Sequence, residues 1–183
     1  RADKHTPGSR PGSADSYLCL GPGWSTASNT PFRLHKTWVH EGGIATPLVV
    51  HWPDGIRDQG AYRNMPSHVI DIAPTLLELA GGDPEELKGT FNAPGISLVP
   101  FLEEDMISGR PPIFFHHERK NALRHENWKI VTIEAGGEWE LYDLSRDRGE
   151  TINLAEENRE KLREVVKLWE DRRDRIVQQI KAD

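Results

Sequence analysis

The sequence holds one cysteine, Cys19, which excludes an internal disulfide and leaves the redox compartment open. No apolar run approaches the roughly 20 residues that a membrane-spanning helix needs, so no span is expected. The first residues lack a charged head leading into an apolar core, the pattern of a secretory leader. Positive charge is not in excess: 23 Lys and Arg stand against 29 Asp and Glu, a net charge of -6, which argues against a general nucleic-acid binder. Apolar residues make up 36%, slightly low for a globular chain even with 16 glycines added. At 183 residues a sizeable core is possible, yet part of the chain is expected to be loop or to lie against surface supplied from elsewhere.

Two familiar chemical signatures are also missing. His35, His40, His51 and the pair His116-His117 before Glu118 never adopt a zinc spacing such as His-Glu-x-x-His, and adjacent histidines on a strand point to opposite faces. Ser97 is a turn former, because a nucleophile elbow would need a glycine where Val99 stands.

What the chain does have is concentrated in Phe32 to Pro47, where a cationic, two-histidine segment runs into Glu41-Gly42-Gly43. The glycines mark a backbone break that lets the chain approach something closely. Leu48-Val49-Val50-His51-Trp52, apolar on both faces and stopped by Pro53, reads as a strand for the inside or edge of a larger sheet. Lys36, at the edge of that sheet, is either a point charge placed to hold an anion or a surface lysine beside a tight turn. His40, His117 and Glu118, near strand ends, are candidates for lining a substrate pocket.

Residues 1 to 16 read as a loop, and Tyr17 to Leu20 as a short strand ended by Gly21-Pro22-Gly23. A helix is predicted from Asp71 as N-cap, with Pro74 in its first turn, an apolar face of Ile72, Leu76 and Leu79, and Gly81-Gly82 closing it. A cap and its polar neighbour account for Asp71 and His68 without catalysis. Asp83 to Pro94 is a breaker-rich connection, and Gly95 to Leu102 a small turn. Three short strands follow, Ile113 to His117, Ala122 to Arg124 leading into Trp128 to Ile133, and Trp139 to Leu144, with Gly136-Gly137 as a hairpin connection. The last helix is predicted over Ala155 to Ile180, capped by Asn153 with Glu156, its charges balanced on a solvated face.

Asn29-Thr30-Pro31-Phe32-Arg33, Lys36 before Glu41-Gly42-Gly43, and Thr46-Pro47 with a stretch ending Trp52-Pro53 resemble the C-terminal part of the sulfatase family, arylsulfatases among them. Asp71 to Gly81, Gly95 to Leu102, Asn121 to Arg124 with Trp128-Lys129, and Leu141 to Leu144 with Asp147, Glu150 and Asn153-Leu154 extend the likeness over most of residues 17 to 170. In that family the lysine before Glu-Gly-Gly binds the substrate's sulfate, the position that Lys36 occupies. The resemblance implies an α/β (α+β) architecture: the C-terminal part of an alkaline-phosphatase-like sulfatase fold, with residues 1–110 the edge of the large domain and 111–183 a small antiparallel sheet packed by a C-terminal helix.

It further implies hydrolysis of a small-molecule or glycan sulfate ester to an alcohol or phenol and sulfate. A calcium or magnesium ion and a formylglycine nucleophile are expected from residues outside this chain, in the N-terminal part of the same enzyme. The Cys-x-Pro-x-Arg signature is absent around Cys19, and neither Asp3 nor Asp15 precedes an Asn, so no metal ligand is carried over and the chain alone should be silent. A periplasmic or secreted parent is compatible with the likeness. A non-catalytic anion-binding module and a related phosphoester hydrolase remain the other readings.

Overall fold

Apolar side chains come in adjacent pairs, Ala122-Leu123, Ile130-Val131 and Leu141-Tyr142, and neighbours on a strand face opposite ways, so a sheet built from them must be covered on both sides. The computed structural model, which describes residues 8–10, 12–14, 16, 21–91, 94–105 and 109–182, shows such a sheet. Its strands are β1 (Ile113–His117), β2 (Lys120–His125), β3 (Trp128–Thr132) and β4 (Glu140–Asp143), an antiparallel meander in the order β1-β2-β3-β4. The register pairs Ala122 with Val131 and Ile130 with Leu141. Where Ala122 to Arg124 was expected to lead into Trp128 to Ile133 as one strand, two antiparallel strands stand, because Glu126 turns the chain in the left-handed region at φ 54°.

One face packs on the C-terminal helix. Leu123, Ile130, Leu141 and Val165 form a buried cluster with Phe114, Leu162, Val166 and Trp169 around it, and the Phe114 and Trp169 rings stack 5.9 Å apart. That helix runs Arg159–Ala182, starting later than expected. Asn153 does not cap it: the Asn153 Oδ1 accepts from Leu141 N–H and Ala155 N–H, both at 3.0 Å, tying the chain to β4 first. Beyond the sheet the helix continues in solvent, with Ile180 exposed.

The other face receives residues 32–44. Val39 is buried there among Ala122, Val131, Tyr142 and Leu144. The helices ahead of the sheet are α1 (Gly21–Asn29), α2 (Glu41–Ile44), α3 (Ile72–Leu79) and α4 (Glu85–Phe91), with Arg159–Ala182 as α5. Gly21-Pro22-Gly23 thus opens a helix instead of ending a strand. Asp83 likewise caps α4 through Glu85 N–H at 2.9 Å inside the expected connection. Tyr17 to Leu20, Cys19 included, lies outside the described residues.

Asp71 stands at the N-cap position of α3, but its side chain makes no cap hydrogen bond there. His68 caps a 3-10 turn over Val69–Asp71, accepting from Ile70 N–H, while Asp71 accepts in return from His68 N–H at 2.7 Å. Residues 48 to 52 form no strand, and Leu48, Val49, Val50 and Trp52 are exposed, as are Ile72, Leu76 and Leu79 on α3. A strand exists only by pairing, and no described segment lies beside this one.

Candidate functional site

The Lys36 segment is a tight loop laid on the sheet face opposite α5, so Lys36 sits over the antiparallel sheet. Leu34 and Thr37 flank His35-Lys36, and both are left-handed, with φ 67° and 86°. Such residues cost about 1–3 kcal/mol each and persist only where surroundings impose them. Those surroundings are identifiable. Trp38 N–H closes the loop on His35 O at 3.1 Å, and Gly42 N–H reaches back to Arg33 O at 3.2 Å. Asn29 Nδ2 bridges both limbs, donating to Leu34 O at 3.1 Å and Gly42 O at 3.0 Å.

The glycines of Glu41-Gly42-Gly43 make this packing possible. A Cβ on Gly42 would run into the Arg33 and Leu34 carbonyls, and one on Gly43 into the Trp38 and His35 carbonyls. Neither glycine has a positive φ; both are helical in α2, so close approach, not an unusual conformation, requires them.

Below the loop lies a charged layer. Lys129, fully buried on β3, places its Nζ 2.9 Å from Glu41 Oε1 and 2.7 Å from Glu150 Oε1. Glu150 Oε2 accepts from Glu41 N–H at 2.7 Å. Burial alone would raise the Glu41 carboxyl, but the Lys129 ammonium, aided by Arg124 and Arg148, holds it below the ordinary carboxylate value. Beside this layer, His40 and Tyr142 both donate to Glu140 Oε2, at 2.9 and 2.7 Å; an ionised carboxylate only accepts, so His40 carries its proton on Nε2. Arg33 donates to the Tyr142 hydroxyl at 3.1 Å and to Glu150 O at 2.9 Å.

Above the layer a cleft of about 530 Å³ opens between the loop and β1, lined by Lys36, Trp38, His68, Phe115, His116 and His117 among others. Lys36 is exposed. The Lys120 ammonium lies 5.3 Å from the centre of the Trp38 ring. The His68 ring meets Phe115 edge-on at 5.6 Å, and burial lowers its pKa although Asp71 opposes that. A cation carried on an anchored loop, flat apolar walls and imidazole donors can together hold an anion attached to a larger organic group.

The family model for the C-terminal region of N-sulphoglucosamine sulphohydrolase matches residues 32–179, a span that takes in both limbs of the loop, the whole sheet and most of α5. The chain belongs to the sulfatase family. It is 31% identical over 175 residues to an uncharacterized sulfatase of Schizosaccharomyces pombe, which is 86% of this chain and 30% of that protein. It is 30% identical over 161 residues to a sulfatase of Formosa agariphila, 79% of this chain and 28% of that one. The crystal structure of Ps i-CgsB matches at TM-score 0.66 and 25% identity, over 78% of this chain and 32% of that chain. The sulfatase chain therefore spans less than a third of the length of these relatives.

Of the residues singled out from the sequence, Lys36 and His117 meet in the cleft of this sulfatase chain, while His40 lies fully buried against Glu140 and away from it. Glu118 stands in the exposed β1-β2 turn, paired with Lys120 at 3.0 Å. Sequence reasoning missed the Lys129, Glu150 and Tyr142 layer. Its one signal was a lysine inside the apolar run Trp128-Lys129-Ile130-Val131, where an unpaired charge would not be tolerated. Among the described residues no group of three or more His, Cys, Asp or Glu is placed to hold a metal ion.

Proposed function

We propose that this chain is the C-terminal portion of an enzyme that hydrolyses sulfate esters of small molecules or glycans, with water, to an alcohol or phenol and sulfate. Residues 1–110 belong to the edge of its large α/β domain and 111–183 to a small sheet subdomain that closes over the same site. The observation that carries this is the exposed Lys36 ammonium, presented at a cleft by a loop whose every limb is anchored below. In sulfate transfer, charge builds on the oxygens around sulfur and on the departing oxygen, and a fixed cation aimed at it lowers the barrier more than it improves ground-state binding. Lys36 supplies that cation. His117, at the end of β1, contacts the ester or its alcohol group.

The described residues do not fit a divalent metal. Because no Cys-x-Pro-x-Arg signature surrounds Cys19 and neither Asp3 nor Asp15 precedes an Asn, the calcium or magnesium ion and the formylglycine nucleophile are assigned to the rest of the enzyme, and the 183 residues alone should not turn over.

The decisive experiment is Lys36→Ala in the complete enzyme, assayed with 4-nitrophenyl sulfate. A drop in kcat of about 100-fold is expected, with unchanged melting temperature. Unaltered kinetics would remove Lys36 from the site, and turnover of a phosphate monoester in preference to the sulfate would favour the phosphoester reading.

A further inference from the structure

A buried ammonium between two carboxylates is an expensive way to fill a core: apolar side chains of like volume are often as stable or more so. Lys129 nevertheless occupies such a place, 2.9 and 2.7 Å from Glu41 and Glu150, on the sheet face that carries the loop. Glu150 is itself held left-handed, at φ 56°, a conformation that an Asn or Gly would take at lower cost, yet only a carboxylate there can reach both Lys129 and Glu41 N–H.

Both limbs of the Lys36 loop end on these groups. The descending limb enters α2 at Glu41, whose side chain and backbone are fixed by Lys129 and Glu150. The ascending limb starts at Arg33, whose guanidinium donates to Glu150 O and whose own carbonyl accepts from Gly42 N–H. Lys36 is an exposed cation at the tip, and among the described residues its ammonium has no hydrogen-bond partner to fix it.

From this arrangement we infer that Lys129, with Glu41 and Glu150, is a positioning residue for the reaction: the buried ion trio sets the height and direction from which Lys36 meets the sulfate. The inference rests on the sulfate-binding reading of Lys36. Because a displacement of about 1 Å can cost about 100-fold in rate, a slackened loop should be costly to turnover even where the fold survives.

The test uses the complete enzyme and 4-nitrophenyl sulfate, with Lys129→Met and the gentler Glu41→Gln, which keeps shape and leaves Lys129 paired with Glu150, each alone and combined with Lys36→Ala. Each single variant should lower kcat at least about 10-fold, and should have less than about a 2-fold further effect once Lys36 is alanine, since residues acting through one another are not additive. A purely structural role would multiply the two losses, and that result overturns the inference. So does a folded Glu41→Gln enzyme with intact kcat, which keeps the question open to a negative answer even if Lys129→Met fails to fold. The Lys36→Ala variant alone separates the two levels: if its kinetics are unchanged, the sulfate reading falls and this inference with it; if it is slow and the paired variants are additive, only the positioning role falls.

Discussion

Arg110 grips both carboxylate oxygens of Asp71, at 2.8 and 3.3 Å, at a point where Asp71 has no solvent exposure. The same carboxylate accepts from His68 N–H and Ile96 N–H, so one side chain gathers the segment before β1, the 3-10 turn and the chain after α4. Removing the guanidinium leaves a buried charge with its main partner gone. Arg110→Ala should therefore lose about 3 kcal/mol of unfolding free energy, read from the denaturant midpoint. A loss below about 1 kcal/mol would show that water replaces the pair at no great cost.

Gly42→Ala and Gly43→Ala should each destabilise by at least about 2 kcal/mol, since the added carbon meets backbone carbonyls that cannot step aside. Gly23→Ala in α1 is the contrast: nothing lies within 4 Å of its Cβ, and helix propensity favours alanine by about 0.5–1 kcal/mol. Equal thermal shifts for the three variants would refute the steric account.

Acid should weaken the fold in two windows. Burial holds the His68 imidazole below its ordinary 6.5, against the pull of Asp71, so the unfolded chain takes up that proton first and stability falls as pH drops through and below about 6.5. The His40 hydrogen bond, with that of Tyr142, keeps the Glu140 carboxyl below 4.5 despite burial; its contribution is present above about 4.5 and is lost as pH falls further. Unfolding measured from about pH 7 downward should show both declines, and His68→Gln should flatten the upper one alone.

Val49, Val69 and Leu76 are largely exposed. The 183-residue chain by itself should bind a hydrophobic dye or self-associate. A monomer that ignores the dye and unfolds in a single sharp transition would speak for an independent module.

How far the sequence could be read depended on whether a segment's partners lie within it. Ile113–His117 was legible to the residue, because this short run is paired locally by β2 along its whole length. The β2-β3 turn was not, since His125-Glu126-Asn127 contains neither glycine nor proline and its sharpness comes from Glu126 alone. Leu48 to Trp52 has a strand's composition and pairs with nothing among the described residues. At the site, Lys36 was visible through its motif, whereas the burial of His40 is set by Glu140, 100 residues away, which no local pattern encodes.

The spacing of these contacts also orders events in time. The meander closes between strands that follow one another in the chain, so it carries little loop-closure penalty and can form early. The Lys36 loop rests on contacts such as Glu41 to Lys129 and Arg33 to Glu150, 88 and 117 residues apart, which have nothing to dock on until that sheet exists. Its amides should therefore be among the last to gain protection from hydrogen exchange during refolding and the first to lose it in mild denaturant, so that the sulfate binding proposed for Lys36 disappears while the sheet and α5 are still intact.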